Sequence, residues 1–249
     1  MRAHKRLVFV GLGGNSFGPL AIGLHLAHKH PDLEVVLVDG KSYKPTHADH
    51  EFFLRPGPKA HVQALLLNNA YPNLHVVPVT TFVDRTTSDN AIAINELLNE
   101  GDYIILVVDN HETRRLVTEH VMTMQDATLI SGAVDGDDVG IWVHLRRQGR
   151  DLMTPPLTRY PDIKAAHEQL PSAMFDRTGC IEEGLQTTDK PEPRPNYFAL
   201  LSTTMLTLNA LWLAMELDDQ RRTNEFPYVD TWLNVRTATA NPNQNGAQP

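Results

Sequence analysis

Three kinds of side chain in the first half of the sequence could together handle a phosphate compound. Glycines Gly11, Gly13 and Gly14 crowd one turn in "VFVGLGGNS". Acids Asp39 and Asp109 each close an apolar run, in "VVLVDG" and "IILVVDN". Lys59 stands in "GPKAHVQ" at the head of a predicted helix. A glycine turn lets backbone N–H groups approach a phosphate, and the helix that follows adds a partial positive charge at its amino terminus. A lysine supplies a flexible point charge for the same anion. A carboxylate at the end of the second strand accepts from ribose hydroxyls. One at the end of a fully apolar run, such as Asp109, is costly unless it has a partner or a metal. With Ser16 in the sixth place, "GLGGNS" fits G-x-G-x-x-G except for its last glycine. By itself the turn leaves three uses open: a dinucleotide redox cofactor, ATP, or close strand–helix packing alone.

These residues need a scaffold that gathers them. Apolar runs predict strands over 7–10, 33–40, 73–79, 102–110 and 127–136. Between them, helices are predicted over 19–30, with Leu20, Leu24 and Leu26 available for packing, from about 58, over 90–101, and over 111–124. Alternating strands and helices predict an α/β, Rossmann-like fold, its mainly parallel sheet covered by helices on both faces. Ligands bind such a sheet beyond the carboxyl ends of its strands, where the turn, Asp39 and Asp109 all fall. After Gly136 the pattern changes, and "GIWVHLRRQG" predicts an antiparallel extension toward the C-terminus. Residues 1–147 thus form a nucleotide-binding domain and 148–195 an irregular crossover, helical at most over 162–169. Residues 196–238 give a long apolar helix and a terminal strand packed on the same domain, and 239–249 a disordered tail.

The bulk properties exclude some partners. A net charge of −8 over 249 residues argues against nucleic acid as a partner. A single cysteine rules out an internal disulfide or a zinc site built on several cysteines. The helix at 196–217 has the length of a membrane span, but Ser202, Thr203, Thr204 and Asn209 lie within it and a strand follows. It reads as a buried core or dimer-interface helix, with no membrane partner and the cytoplasm as the expected location.

Further landmarks follow in order. After Asp39 come the polar segment "HADHEFF", Lys59-Ala60 opening a helix, Tyr71-Pro72 before a strand, and Asp109-Asn110 with Arg114 five residues past the acid. Together with the glycine turn, this order over roughly residues 6–147 resembles the ubiquitin-activating-enzyme-like superfamily, the ThiF and MoeB adenylyltransferases. The resemblance implies ATP on the turn, held by Gly11, Gly13, Gly14, Asn15, Ser16 and Asp39, with Lys59 on the phosphates and Mg²⁺ near Asp109. The C-terminal carboxylate of a ubiquitin-like or sulfur-carrier protein would attack the α-phosphate, in a homodimeric enzyme. Asn110 would bond the adenine or cap the next helix; Arg114 would assist catalysis or pair locally with Glu112 or Asp135. Cys180, in "RTGCIEEGL", falls in the broad region where thioester-forming members carry a nucleophile.

The sequence also departs from that pattern. His47, His50 and Glu51 stand where the superfamily has asparagine, arginine and glutamine, and Lys41 stands in place of a second acid. Near the first strand, Arg2, Lys5 and Arg6 are the candidates for a trans-acting arginine's role. The histidines and acids of "HADHE" also admit a metal site, against a plain polar loop. These departures suit a second function, a non-catalytic relative that binds a nucleotide or a protein. A third, an NAD-dependent oxidoreductase, explains the turn and Asp39 but leaves Lys59 and Asp109 without a task.

Overall fold

Strict alternation along the first strand sets up two hydrophobic layers. In β1 (Arg6–Val10), Leu7 and Phe9 join one buried cluster while Val8 and Val10 join the other. A strand apolar on both faces belongs in the middle of a sheet covered on both sides. The computed structural model describes residues 5–13, 17–45, 51, 53, 55–135, 137–165, 170–172, 197–220, 222, 228–234 and 239–244.

From β1 the chain passes through α1 (Gly18–Lys29) to β2 (Glu34–Val38). The two-residue strands β3 (Ser42–Tyr43) and β4 (Gly57–Pro58) pair with each other, and α2 (Lys59–Ala70) and β5 (His75–Val79) follow. A small parallel pair, β6 (Phe82–Asp84) and β7 (Ala91–Ala93), leads through α3 (Ile94–Leu97) to β8 (Tyr103–Leu106), α4 (His111–Val121) and β9 (Ala127–Asp135). Then come β10 (Asp138–Arg147), β11 (Arg150–Asp151), the short helices α5 (Pro156–Arg159) and α6 (Pro161–Lys164), α7 (Tyr197–Asp219), β12 (Tyr228–Asn234) and β13 (Thr239–Gln244).

Five strands run parallel in the order β5-β2-β1-β8-β9. Beyond β9 the sheet continues antiparallel through β10, β12 and β13, with β11 paired to β10. β2 and β5 build outward on one side of β1, β8 and β9 on the other. The reversal opens a crevice at the carboxyl ends of β1 and β8, where open α/β sheets bind ligands. On one face α1, α2 and α7 pack against Phe9, Leu37, Ile105 and Val143; on the other, α3 and α4 pack against Val8, Val36, Ile104 and Leu129.

The α/β expectation holds, with local corrections. The packing stripe of α1 is Pro19, Ile22, Gly23 and Leu26, while Leu24 is exposed, because Gly23 is turned toward α2. A Cβ on Gly23 would lie 2.3 Å from the ring of Tyr71, so the two helices approach there only through glycine. The helix predicted over 90–101 is shared between β7 and the four-residue α3; pairing with β6 claims its first half. The tail predicted to be disordered from 239 begins with β13, whose register with β12 supplies backbone partners that composition alone does not reveal. The helical stretch predicted over 162–169 overlaps α6, and 166–169 lie outside the described residues. By length and composition α7 could cross a membrane, yet half of its apolar stretch is buried within the protein. It lies so close to β9 that a Cβ on Gly132 would sit 2.6 Å from the Thr203 methyl.

The amino ends of the strands are tied by ion pairs. Arg6 donates from Nε and Nη2 to the two oxygens of Asp102, at 3.1 and 2.7 Å, and the Asp102 side chain is fully buried. Asp218, near the end of α7, accepts from Lys5, Tyr103 and Arg147. Both Lys5 and Arg6 are therefore engaged at the amino ends of the strands, away from the glycine turn of their own chain. Arg2 lies outside the described residues. Removing one partner of a buried pair strands the other charge, so Asp102→Ala should lower unfolding free energy by about 3–5 kcal/mol. Urea unfolding checks this, and a loss near zero would show that Arg6 finds solvent instead.

Candidate functional site

The crevice is built on a close backbone approach. Gly11 has φ +89°, and a Cβ there would lie 2.5 Å from the carbonyl oxygen of Val107, so the ends of β1 and β8 meet only across glycine. The Gly11 N–H donates to Val38 O at 2.9 Å, and Val107 N–H donates to Val10 O at 2.9 Å. Asp39, just past β2, locks the turn: its Oδ2 accepts from the Leu12 N–H and its Oδ1 from the Lys41 N–H, each at 2.8 Å. Burial raises the Asp39 carboxyl above its ordinary range, against the pull of Lys59, these two amides and Lys41.

Lys59 opens α2, and its side chain reaches into the crevice. Its Nζ lies 2.5 Å from Glu51 Oε1, with the two side chains 4% and 6% exposed. A Cβ on Gly13 would sit 3.2 Å from that same Glu51 oxygen and 3.9 Å from Lys59 Nζ, so the ion pair fills the space over the second glycine. The Lys59 N–H donates to Lys41 O at 3.0 Å, which holds the start of α2 against the segment that leads into β3.

A second, looser pair faces solvent. Lys41 Nζ lies 3.4 Å from Asp109 Oδ2, and the Asp109 side chain is 83% exposed beyond the end of β8. The surrounding protein atoms disfavour charge on Asp109, but Lys41, a backbone amide and Arg114 outweigh them and hold the carboxyl below its ordinary value. Lys41 is raised: desolvation opposes its charge, and Asp109, Asp39 and Glu51 override that. Asp39, Glu51 and Asp109 against Lys41 and Lys59 leave this group of five with a formal charge of 2 − 3 = −1.

Gly11, Gly13, Asp39, Lys59 and Asp109 are thus brought together as expected. Arg114 is not presented to the crevice in the same way. It is 5% exposed and donates to Ser131 Oγ at 2.7 Å, to Gly132 O at 2.8 Å and to Val108 O, with its guanidinium over the Trp142 ring. It ties α4 to the ends of β8 and β9, while Glu112 pairs with Arg85 and Arg115. Asn110 caps α4, accepting from the Thr113 N–H at 2.8 Å. Gly14, Asn15, Ser16, His47, His50 and Cys180 lie outside the described residues. The sequence marks Glu51 and Lys41 as departures but does not reveal that Glu51 pairs with Lys59 and Lys41 with Asp109; an acid eight residues before Lys59 and a lysine two after Asp39 were the available signals. Among the described residues no group of three or more metal-ligating side chains occurs.

No protein-family model matches this sequence, and no curated protein matches it. Solved structures share its fold. E. coli MccB with ATP matches at TM-score 0.60 and 12% identity, over 98% of this chain and 64% of that one. E. coli MccB with AMPCPP and selenomethionine MccA matches at TM-score 0.60 and 12% identity, over 98% and 65%. The microcin C7 biosynthetic enzyme MccB with N-formylated MccA gives TM-score 0.61, 12% identity, and again 98% and 65%. The chain spans about two thirds of the length of the MccB chains it matches, and at this identity the likeness is one of fold.

Proposed function

We propose that this chain is an ATP-dependent adenylyltransferase of the ThiF/MoeB type that activates a C-terminal carboxylate of a peptide or protein. The observation that carries the proposal is a buried lysine, Lys59, set over Gly13 of a glycine turn at the switch point of the sheet. MccB, an adenylyltransferase of this type, has been solved with ATP, AMPCPP and the MccA peptide, which supports the same use of the fold here. In the finer form of the proposal the carboxylate belongs to a ubiquitin-like or sulfur-carrier protein.

The chemistry asks for positioning and charge. A carboxylate oxygen attacks the α-phosphorus, the bond to the bridging oxygen of the β-phosphate breaks, and pyrophosphate leaves with that electron pair. The turn at Gly11 and Gly13 would supply backbone donors, Gly14, Asn15 and Ser16 are proposed to bind the nucleotide with them, and Lys59 would neutralise phosphate charge as it builds. Asp39 has one oxygen bonded to each of two amides, and the remaining lone pairs can accept from a ribose. Among the described residues Asp109 is an exposed carboxylate at the mouth of the site, and Mg²⁺ would be held there by it together with the nucleotide's own phosphates and water. Bound there, the ion would add Lewis-acid charge to the phosphates. Cys180 is proposed as an acceptor of the activated acyl group. A scaffold without catalysis is the second reading, favoured by one observation: both site lysines are already paired to carboxylates of the same chain.

The assembly is proposed to be a homodimer through α7. Phe198, Met205 and Trp212, 67%, 55% and 45% exposed, recur every seven residues along one face of that helix. Sedimentation at micromolar concentration should give a dimer, reduced to monomer by Trp212→Glu; a monomeric wild type would refute the interface.

Calorimetry with ATP and Mg²⁺, and separately with NAD, tests the nucleotide. ATP should bind, and Lys59→Met should weaken it about 10–100-fold, the worth of one charged phosphate contact. Heat with NAD alone, or with neither, would overturn the proposal.

A further inference from the structure

Lys59 already has an anion. The Glu51 carboxylate lies 2.5 Å from its ammonium, and the pair is almost entirely shielded from water. The place matters more than the pairing. Glu51 Oε1 stands 3.2 Å from where a Cβ on Gly13 would be, in the space that the missing side chain of a second glycine leaves for a phosphate group. The carboxylate thus fills the space over Gly13 and holds the ammonium that would otherwise face it.

We infer that Glu51 is a built-in competitor for the phosphate cradle, and that an incoming polyphosphate binds by displacing its carboxylate from Lys59. The inference deepens the nucleotide proposal and rests on it. Charge supports it. With Glu51 in place, the group formed with Asp39, Asp109, Lys41 and Lys59 carries a net −1, and a polyanion is repelled. With Glu51 withdrawn, the other four sum to zero and Lys59 is left facing the glycine turn. Glutamine in that place would carry no charge and would leave the ammonium available, so Glu51 sets an occupancy threshold that a neutral side chain would not.

The cost to a ligand follows from population. If the open cradle is a fraction of all molecules, the apparent Kd is the intrinsic Kd divided by that fraction, and an open share of about one tenth weakens binding about tenfold. Removing the competitor should recover that factor.

The test uses the full chain, with inorganic pyrophosphate and ATP as probes, each with and without Mg²⁺, followed by calorimetry. Glu51→Gln should bind pyrophosphate about tenfold more tightly than wild type. Glu51→Asp retains the charge, and hence the buried pair that supports folding, but draws the carboxylate back by one methylene; its affinity should fall between the two. Equal or weaker pyrophosphate binding in both variants would overturn the inference and make Glu51 a support that holds Lys59 in position. Absence of pyrophosphate binding in all three proteins would overturn it as well. Tighter pyrophosphate in the variants with no ATP binding anywhere would uphold the competitor and remove the nucleotide proposal. ATP bound equally by all three would do the reverse.

Discussion

The crevice exists because two strand ends come closer than any side chain would allow. Gly11 lies against the carbonyl of Val107, and only a residue without a Cβ, free to take a positive φ, can sit there. That contact sets the spacing of β1 and β8, the pair at which the strand order reverses. Asp39 then fastens the turn from the β2 side through two backbone amides. The result is a rigid rim on which Lys59, Lys41 and Asp109 converge from three different loops and helix starts.

What converges is a set of charges rather than a set of donors waiting for a ligand. A buried ammonium needs a counter-charge, because desolvation of an isolated ion costs far more than a surface pair returns. In this chain Glu51 meets that need for Lys59 from within. The exposed pair at the mouth is different in kind: Lys41 and Asp109 sit in water and contribute little to stability, so either can change partner at low cost. One pair is therefore buried within the cradle, and the other spans its entrance in contact with water.

Part of this was legible in residues taken alone. The alternation of Leu7, Val8, Phe9 and Val10, the acid-ended runs at Asp39 and Asp109, and the glycines between strand and helix require a covered parallel sheet with its ligand end at the turn. The antiparallel extension announced itself in the change of pattern after Gly136. Other parts were not legible. Leu24 has the composition of a packing residue, but the direction of α1 is set by Gly23 against Tyr71, forty-eight positions away by 71 − 23. The stretch at 91–93 forms a strand because a partner at 82–84 offers its backbone.

The sequence by itself determined the fold class and the end of the sheet where the candidate residues fall, because apolar periodicity and the acids that close the strands are local properties of the chain. Only the tertiary structure decided which charges meet. Spacing along the chain does not reveal that the Arg114 guanidinium meets Ser131 and the carbonyls of Val108 and Gly132. In the sequence Glu51 is one acid in a polar segment; in the fold its carboxylate meets Lys59, over Gly13. Electrostatic partnership depends on distances of a few ångströms between residues on separate elements, and spacing along the chain does not contain those distances.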